Sequence, residues 1–326
     1  MDAGHPIAAS TQTYFRHTYE ADHEDMRRLY EQAKRDQWNA SRDVDWATPV
    51  PDDGRLIADD LIDIYGTKYW AALSERDRVE LNRRSAAWRL TLLVHGEHGA
   101  MLVCSQLVEC LKSQDQKLFQ ATQVVDEGRH NEVLDRYIAT RLGRPYPISS
   151  TTKELFDTIL GDPRWYVKTI VLQLVGETFA VSLFKMLAET SHDPLLRDIC
   201  RRILQDEARH MGFGMLSLPA VVREASEQER RELEDITVWA LVRTLRGTFP
   251  RPLYEEMGYS EADIETIREL RKTRAAGGAE DLFRRTFRRE LHTALVRNLV
   301  KIGLLTPRVA PQLESLGINV AAVAAA

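Results

Sequence analysis

The sequence is poor in the residues that cross-link or interrupt a chain. It has 3 cysteines, 17 glycines and 12 prolines among 326 residues. The cysteines, Cys104, Cys110 and Cys200, form no Cys-x-x-Cys pair, and their odd number predicts reduced thiols rather than a disulfide framework. The glycines and prolines fall in clusters, so the stretches between the clusters are free to form long helices.

The chain also lacks an excess of charge of one sign. Its 44 basic and 49 acidic residues give a net charge of −5, without the basic footprint typical of nucleic-acid binding. We read no apolar run as long enough to cross a bilayer. Residues 1–6 lack the charged start and the apolar core of a signal peptide. We therefore expect a cytoplasmic protein with neither a nucleic-acid partner nor a membrane partner.

What the sequence has instead is apolar residues at helical spacing. No run alternates between apolar and polar residues as a strand does, so we predict an all-α fold. A helix is predicted over 20–37, and an irregular strap follows it. Four long helices are predicted at 74–112, 115–142, 163–191 and 194–225, and shorter ones at 153–160, 227–248, 261–275 and 279–304.

The composition shows no shift that requires a second domain. We expect a single domain over 1–326, in which a four-helix bundle (74–225) carries the functional site. The N-terminal helix and strap (1–73) and a C-terminal helical extension (226–326) would be added to that bundle.

Two pentapeptides of one pattern lie in the second and fourth long helices. Residues 126–130 read Asp-Glu-Gly-Arg-His, and residues 206–210 read Asp-Glu-Ala-Arg-His. Positions i and i+3 share a face of a helix, so the glutamate and the histidine of each pentapeptide can point at one spot. The bare Glu-x-x-His pattern is a weak signal, because Glu20/His23 and Glu189/His192 also match it. We assign these two extra matches to solvent.

Spacing makes the pentapeptides specific. Glu97 precedes Glu127 by 30 positions, the same separation that Glu177 has from Glu207. The two midpoints, residues 112 and 192, fall at the predicted helix breaks. In an antiparallel hairpin, residues equidistant from the turn lie at the same level, so two such hairpins bring these glutamates together.

A bare carboxylate in an apolar helix is costly. Two divalent cations would balance four such carboxylates and make the core nearly neutral. The sequence therefore predicts a two-metal site with the ligands Glu97, Glu127, His130, Glu177, Glu207 and His210.

This pattern resembles the ferritin-like di-iron carboxylate superfamily, in which two helices give one glutamate each and two give Glu-x-x-His. The resemblance covers about 74–225 and implies a ferritin-like four-helix bundle. It implies that Glu127 and Glu207 bridge or chelate both metals. One metal would be completed by Glu97 and His130, and the other by Glu177 and His210. It also implies outer acids that orient the ligand histidines, and arginines paired with those acids: Asp126, Asp206, Arg129 and Arg209.

The resemblance implies an O₂-activating non-haem di-iron oxygenase or oxidase, with no catalytic residue expected beyond the metal ligands. Its cofactor would be two iron ions, with manganese in one site as an alternative, and O₂ would be the co-substrate. We expect a small organic substrate and an external electron donor such as a ferredoxin or a reductase, and a homodimer is left open. Arylamine N-oxygenases carry a further histidine where this chain has Ile203. Hydroxylation, N-oxygenation and desaturation therefore all stay open.

Two other functions of the superfamily are alternatives. The radical-generating subunit of ribonucleotide reductase usually has a tyrosine one turn after the first ligand histidine, where this chain has Leu134. A ferritin-like ferroxidase or iron-binding protein needs little beyond the bundle, so the extension at 226–326 argues against that function.

Overall fold

The computed structural model describes residues 4–246, 249–276 and 287–321. These residues form helices and connections with no strand, which confirms the predicted all-α class. The helix predicted over 279–304 begins outside the described residues. The helices are α1 (Glu24–Arg35), α2 (Lys68–Ala71), α3 (Glu75–Cys110), α4 (Gln114–Arg141), α5 (Ser150–Gly161), α6 (Trp165–Thr169), α7 (Glu177–Thr190), α8 (Pro194–Glu224), α9 (Glu227–Arg246), α10 (Arg251–Glu256), α11 (Glu261–Ala276), α12 (Arg289–Ile302) and α13 (Ala310–Ser315).

Two helical hairpins form the bundle, α3 with α4 and α7 with α8. The first turn is closed by Ser113, whose hydroxyl oxygen accepts a hydrogen bond from the Gln116 amide at 3.2 Å. The second is closed by Asp193, which accepts from the Leu195 amide at 2.8 Å, and Pro194 occupies the first helical position. Both breaks lie where the sequence predicts them.

The third long helix differs from the prediction of one continuous helix over 163–191. It begins at Trp165, because the Asp162 carboxylate accepts from the Arg164 amide at 2.8 Å and closes a turn there. A π-helical segment then covers Ile170–Gly176, so the Glu177 amide donates to the Leu172 carbonyl, five residues back. A π turn holds an extra residue and widens the helix.

This third helix also corrects the prediction about apolar runs. In the part of the chain that the structure describes, Trp165–Thr190 is long and apolar enough to cross a bilayer, and an 18-residue window within it has a mean hydropathy of 1.6. Within the fold, however, 72% of that window is buried. Such burial is typical of a core helix in a bundle, which passes the same test of length and composition.

The N-terminal helix is held by reciprocal capping. The Asp22 carboxylate accepts from the Ser113 hydroxyl at 2.7 Å and from the Asp115 amide at 3.2 Å, at the start of α4. The buried Asp115 carboxylate accepts in turn from the amides of Asp22 (2.8 Å) and His23 (2.7 Å), at the start of α1. These bonds hold α1 against α4 and α8, so the residues that follow α1 reach the middle of the bundle.

The strap and the extension also pack on the bundle. The Leu56 carbonyl accepts from the Ser191 hydroxyl at 2.7 Å and from the His192 amide at 2.9 Å, which fixes the strap to the turn between α7 and α8. In the extension, α12 packs against α7, α8 and the π segment.

Replacing Gly99 tests the close approach of α3 to α5. A Cβ at Gly99 would lie 2.2 Å from a ring carbon of Phe156, so Gly99→Ala should lower the free energy of unfolding by about 1–3 kcal/mol. The matched control is Gly96→Ala, because a Cβ at Gly96 meets nothing within 4 Å. The control should raise the free energy of unfolding by about 0.5–1 kcal/mol, as expected for alanine in a helix. Urea unfolding of both variants measures the difference, and equal effects would contradict the packing described here.

Candidate metal centre

Four long helices bring the six predicted ligands to one level of the bundle. Their side chains are 0–4% exposed. The ligand atoms form two groups that share Glu127, and within each group all atoms lie within 4.8 Å of one another. The first group is Glu97, Glu127, His130 and Glu207, and the second is Glu127, Glu177 and His210.

Two carboxylates lie between the two imidazoles. Glu127 has Oε2 at 3.6 Å from His130 Nδ1 and Oε1 at 3.3 Å from His210 Nδ1. Glu207 has Oε1 at 3.3 Å from His130 Nδ1 and Oε2 at 3.1 Å from His210 Nδ1. Each carboxylate therefore offers one oxygen to each half of the centre, which is the arrangement that a bridging ligand needs.

The donor set fits a pair of cations. Glu127 Oε2 and Glu207 Oε1 are buried and accept no hydrogen bond from the described residues. An unsatisfied buried carboxylate oxygen is costly, and a metal ion would satisfy it. Four carboxylates and two imidazoles form a mixed oxygen and nitrogen set that suits iron or manganese.

Burial and mutual repulsion control the protons of this centre. Burial raises the pKa of Glu97 and Glu177 well above its ordinary value, and neighbouring carboxylates raise it further. Burial alone would lower the pKa of His210, but the carboxylates of Glu127 and Glu207 outweigh that effect and raise it to about 10. Cations would replace these protons, so binding of metal should release protons.

A second layer of charged side chains contacts the Nε2 side of the histidines. In this layer the aspartate of each pentapeptide contacts the histidine of the other pentapeptide. His130 Nε2 lies 3.0 Å from Asp206 Oδ2, and His210 Nε2 lies 3.3 Å from Asp126 Oδ2. Each aspartate thus faces the histidine of the other helix. Arg129 bonds both aspartates, at 2.6 and 2.8 Å, and Arg209 also contacts both. The four residues expected in this layer are therefore brought together.

Two residues just after α1 join this layer, and the sequence offered no signal for either. Gln37 donates to Asp126 at 2.9 Å and accepts from Arg129 at 2.5 Å. The Trp38 indole donates to Asp206 at 2.8 Å. No motif marks them, because their place depends on how α1 packs on the bundle.

Gln123 is a third residue that we did not predict. Its amide nitrogen donates to Glu127 Oε1 at 2.8 Å and to Glu177 Oε1 at 3.2 Å. A signal did exist here, because Gln123 lies four residues before Glu127 and so shares its helix face.

Among the described residues, His95 and His98, which flank Glu97, belong to neither group of ligand atoms. His98 is exposed, and His95 lies 3.2 Å from the Tyr146 carbonyl oxygen. The extra match Glu189/His192 is exposed, as expected.

A model of the family described as P-aminobenzoate N-oxygenase AurF matches residues 20–290, which is most of the chain. The chain belongs to this family. An O₂-activating oxygenase or oxidase that acts on a small substrate agrees with this membership, and so does the carboxylate and histidine cluster. No curated protein matches the AurF-family chain.

Solved structures give the same fold. One is a variant R2-like ligand-binding oxidase with an aerobically reconstituted Mn/Fe cofactor. It is 17% identical, with a TM-score of 0.51, and the match covers 86% of this chain and 93% of that chain. Another R2-like ligand-binding oxidase, after photoconversion, is 17% identical over the same shares of both chains, with a TM-score of 0.50. At this identity the likeness shows a ferritin-like fold and nothing more about chemistry.

Glu127→Gln tests the ligand set. The change removes the carboxylate shared by both groups, so iron bound per chain should fall from about two to one or fewer. Glu189→Gln is the control, because Glu189 belongs to an exposed Glu-x-x-His match, and it should retain both ions. Elemental analysis after anaerobic loading and desalting, with circular dichroism to verify folding, gives the result. Full iron content in folded Glu127→Gln would contradict the proposed ligand set.

Proposed function

We propose that this AurF-family chain is a two-iron monooxygenase whose substrate is a small aromatic amine. The observation that carries the proposal is the pair of buried carboxylates, Glu127 and Glu207, each of which offers one oxygen to each half of the centre. The substrate class follows from the family description, which names p-aminobenzoate N-oxygenation.

In this proposal Glu127 and Glu207 would help to hold both metal ions, Glu97 and His130 would complete one site, and Glu177 and His210 would complete the other. Bound Fe(II) would supply electrons and open positions for O₂. Asp206 and Asp126 hold the histidines in the tautomer that leaves Nδ1 free to bind metal, since each aspartate faces Nε2.

The C-terminal extension helps to keep water out. Asn298 on α12 donates to the Thr178 hydroxyl oxygen at 3.1 Å, and Thr178 directly follows Glu177. Because the extension closes the α7 side of the centre, we propose that residues 1–73, 74–225 and 226–326 act as one domain. Exclusion of water protects reactive species from side reactions.

Several finer points also belong to the proposal. An external electron donor such as a ferredoxin or a reductase would supply the electrons that O₂ reduction requires beyond those of the substrate. Manganese in one of the two sites is an alternative to iron. A homodimer is an alternative to a single chain. Leu134 is fully buried where a radical-generating subunit would carry a tyrosine, which disfavours that function.

C–H hydroxylation or desaturation is the second candidate, and one residue favours it. Ile203 is fully buried at the place where arylamine N-oxygenases have a further histidine. A centre without that ligand has one imidazole fewer at the second ion, which changes its coordination and its reactivity.

The reaction itself tests the proposal. The protein, loaded anaerobically with about two Fe(II) ions per chain, is mixed with ¹⁸O₂, a reductant and p-aminobenzoate. We expect an N-oxygenated product that carries ¹⁸O, detected by mass spectrometry, and background levels with Glu127→Gln. The Glu189→Gln variant should behave as the unmodified protein does.

Other products would decide against this proposal. Ring-hydroxylated or desaturated products, without N-oxygenation of any arylamine tried, would favour the second candidate. Iron that accumulates far beyond two ions per chain, with no organic product, would indicate storage instead.

A further inference from the structure

Three buried glutamines lie next to the metal centre. Gln120 and Gln123 are on α4, and Gln173 is on the π segment, four residues before Glu177. Gln120 and Gln123 are fully buried, and Gln173 is 1% exposed. Buried amides carry both donors and acceptors, so each of their polar atoms needs a partner.

The metal-binding carboxylates fix the orientation of all three amides. A carboxylate that binds a metal ion is ionised and only accepts hydrogen bonds, so with metal bound the Gln123 amide nitrogen would face Glu127 and Glu177, as it does here. The oxygen of Gln123 therefore points the other way. There it accepts from the amide nitrogen of Gln173 at 2.8 Å and from that of Gln120 at 3.2 Å.

Two amide oxygens do not take part in this arrangement. With their nitrogens turned to Gln123, Gln120 and Gln173 present Oε1 away from it. Both Oε1 atoms are buried, and neither has a hydrogen-bond donor among the described residues. The two side chains are close neighbours, because their nitrogens bond one and the same oxygen. An unsatisfied buried acceptor is unfavourable, so this pair offers two acceptors to a molecule that carries hydrogen-bond donors.

Two stacked aromatic rings lie close to the glutamines along their helices. Phe119 and Phe213 stack with ring centroids 5.7 Å apart. They directly precede Gln120 and Gly214, so they lie at the level of the glutamines. A Cβ at Gly214 would stand only 3.0 Å from Gln173 Cβ, which shows how closely α8 approaches the π segment.

We propose that Gln120 and Gln173 determine substrate specificity by accepting hydrogen bonds from the amino group of the substrate. Two acceptors match the two N–H donors of an uncharged primary amine, whereas a hydroxyl group can satisfy only one. Gln123 is a positioning residue, since it orients both acceptors by donating to Glu127 and Glu177. This inference rests on the proposed function, because the bound amine is the substrate to be oxidised.

Ligands that differ only in donor count give the test. Aniline, phenol and toluene are similar in size and offer two, one and no donors. Calorimetric titration into the full-length, iron-loaded protein without O₂ measures affinity with no turnover. We expect aniline to bind more tightly than phenol, and phenol more tightly than toluene, by about 5–10-fold at each step. Equal affinities would overturn the inference, and this comparison needs no variant.

Substitution localises the preference. Gln120→Met and Gln173→Met keep length and volume but remove the acceptor, so each should reduce the aniline preference by about 5–10-fold and leave toluene binding unchanged. The control is Gln116→Met, one turn earlier on α4, whose amide donates to Ser217 at 3.1 Å. An aniline preference that survives in both folded variants would overturn the assignment.

The two levels of the proposal can fail separately. If the iron-loaded protein oxygenates arylamines but binds all three ligands equally, the specificity role of the glutamines is wrong and the function stands. If aniline is preferred through Gln120 and Gln173 but no oxygenated product forms, the subsite stands and the proposed reaction is wrong.

Discussion

Four carboxylates buried at one level of an apolar bundle are the constraint on which the rest of this structure depends. Glu127 and Glu207 are fully buried, and Glu97 and Glu177 are 3–4% exposed. Carboxylates so placed repel one another and lose their hydration, so they require positive charge or hydrogen-bond donors close by. Imidazoles supply part of that need, and two metal ions would supply the rest. Two carboxylate oxygens that accept no hydrogen bond from the described residues mark where those ions would bind.

Because these carboxylates need partners close by, the register of the helices and the geometry of the site depend on each other. His130 faces Asp206 of the opposite pentapeptide, and His210 faces Asp126. One residue of slippage would rotate a helix by roughly 100° and separate both contacts. The arginines reinforce this crossing, because each of them contacts both aspartates. Helix α1 closes the layer from outside, where Trp38 donates to Asp206. Stability of the bundle and orientation of the ligands therefore depend on the same buried contacts.

The π segment connects the metal centre to the proposed substrate subsite. Gln173 lies on this segment, four residues before Glu177, and its amide nitrogen donates to Gln123 Oε1 at 2.8 Å. Departures from α-helical geometry of this kind recur at functional sites, since they cost stability and persist where they position a side chain. The orientation of the amides follows from the carboxylates, so charge at the candidate metal centre would also determine which amide atoms face the proposed substrate.

The sequence by itself determined the two turns and most of the long helices, and it placed the six predicted ligands at one level. These features are local: Ser113 and Asp193 cap the helices that follow them, and equal offsets from a turn place residues at one level. Only the tertiary structure decided which aspartate faces which histidine, how Trp38 reaches the centre, and that Gln173 lies on a π turn. Those features depend on helix rotation and on contacts between distant segments, and the pattern of apolar residues along one helix carries no information about either.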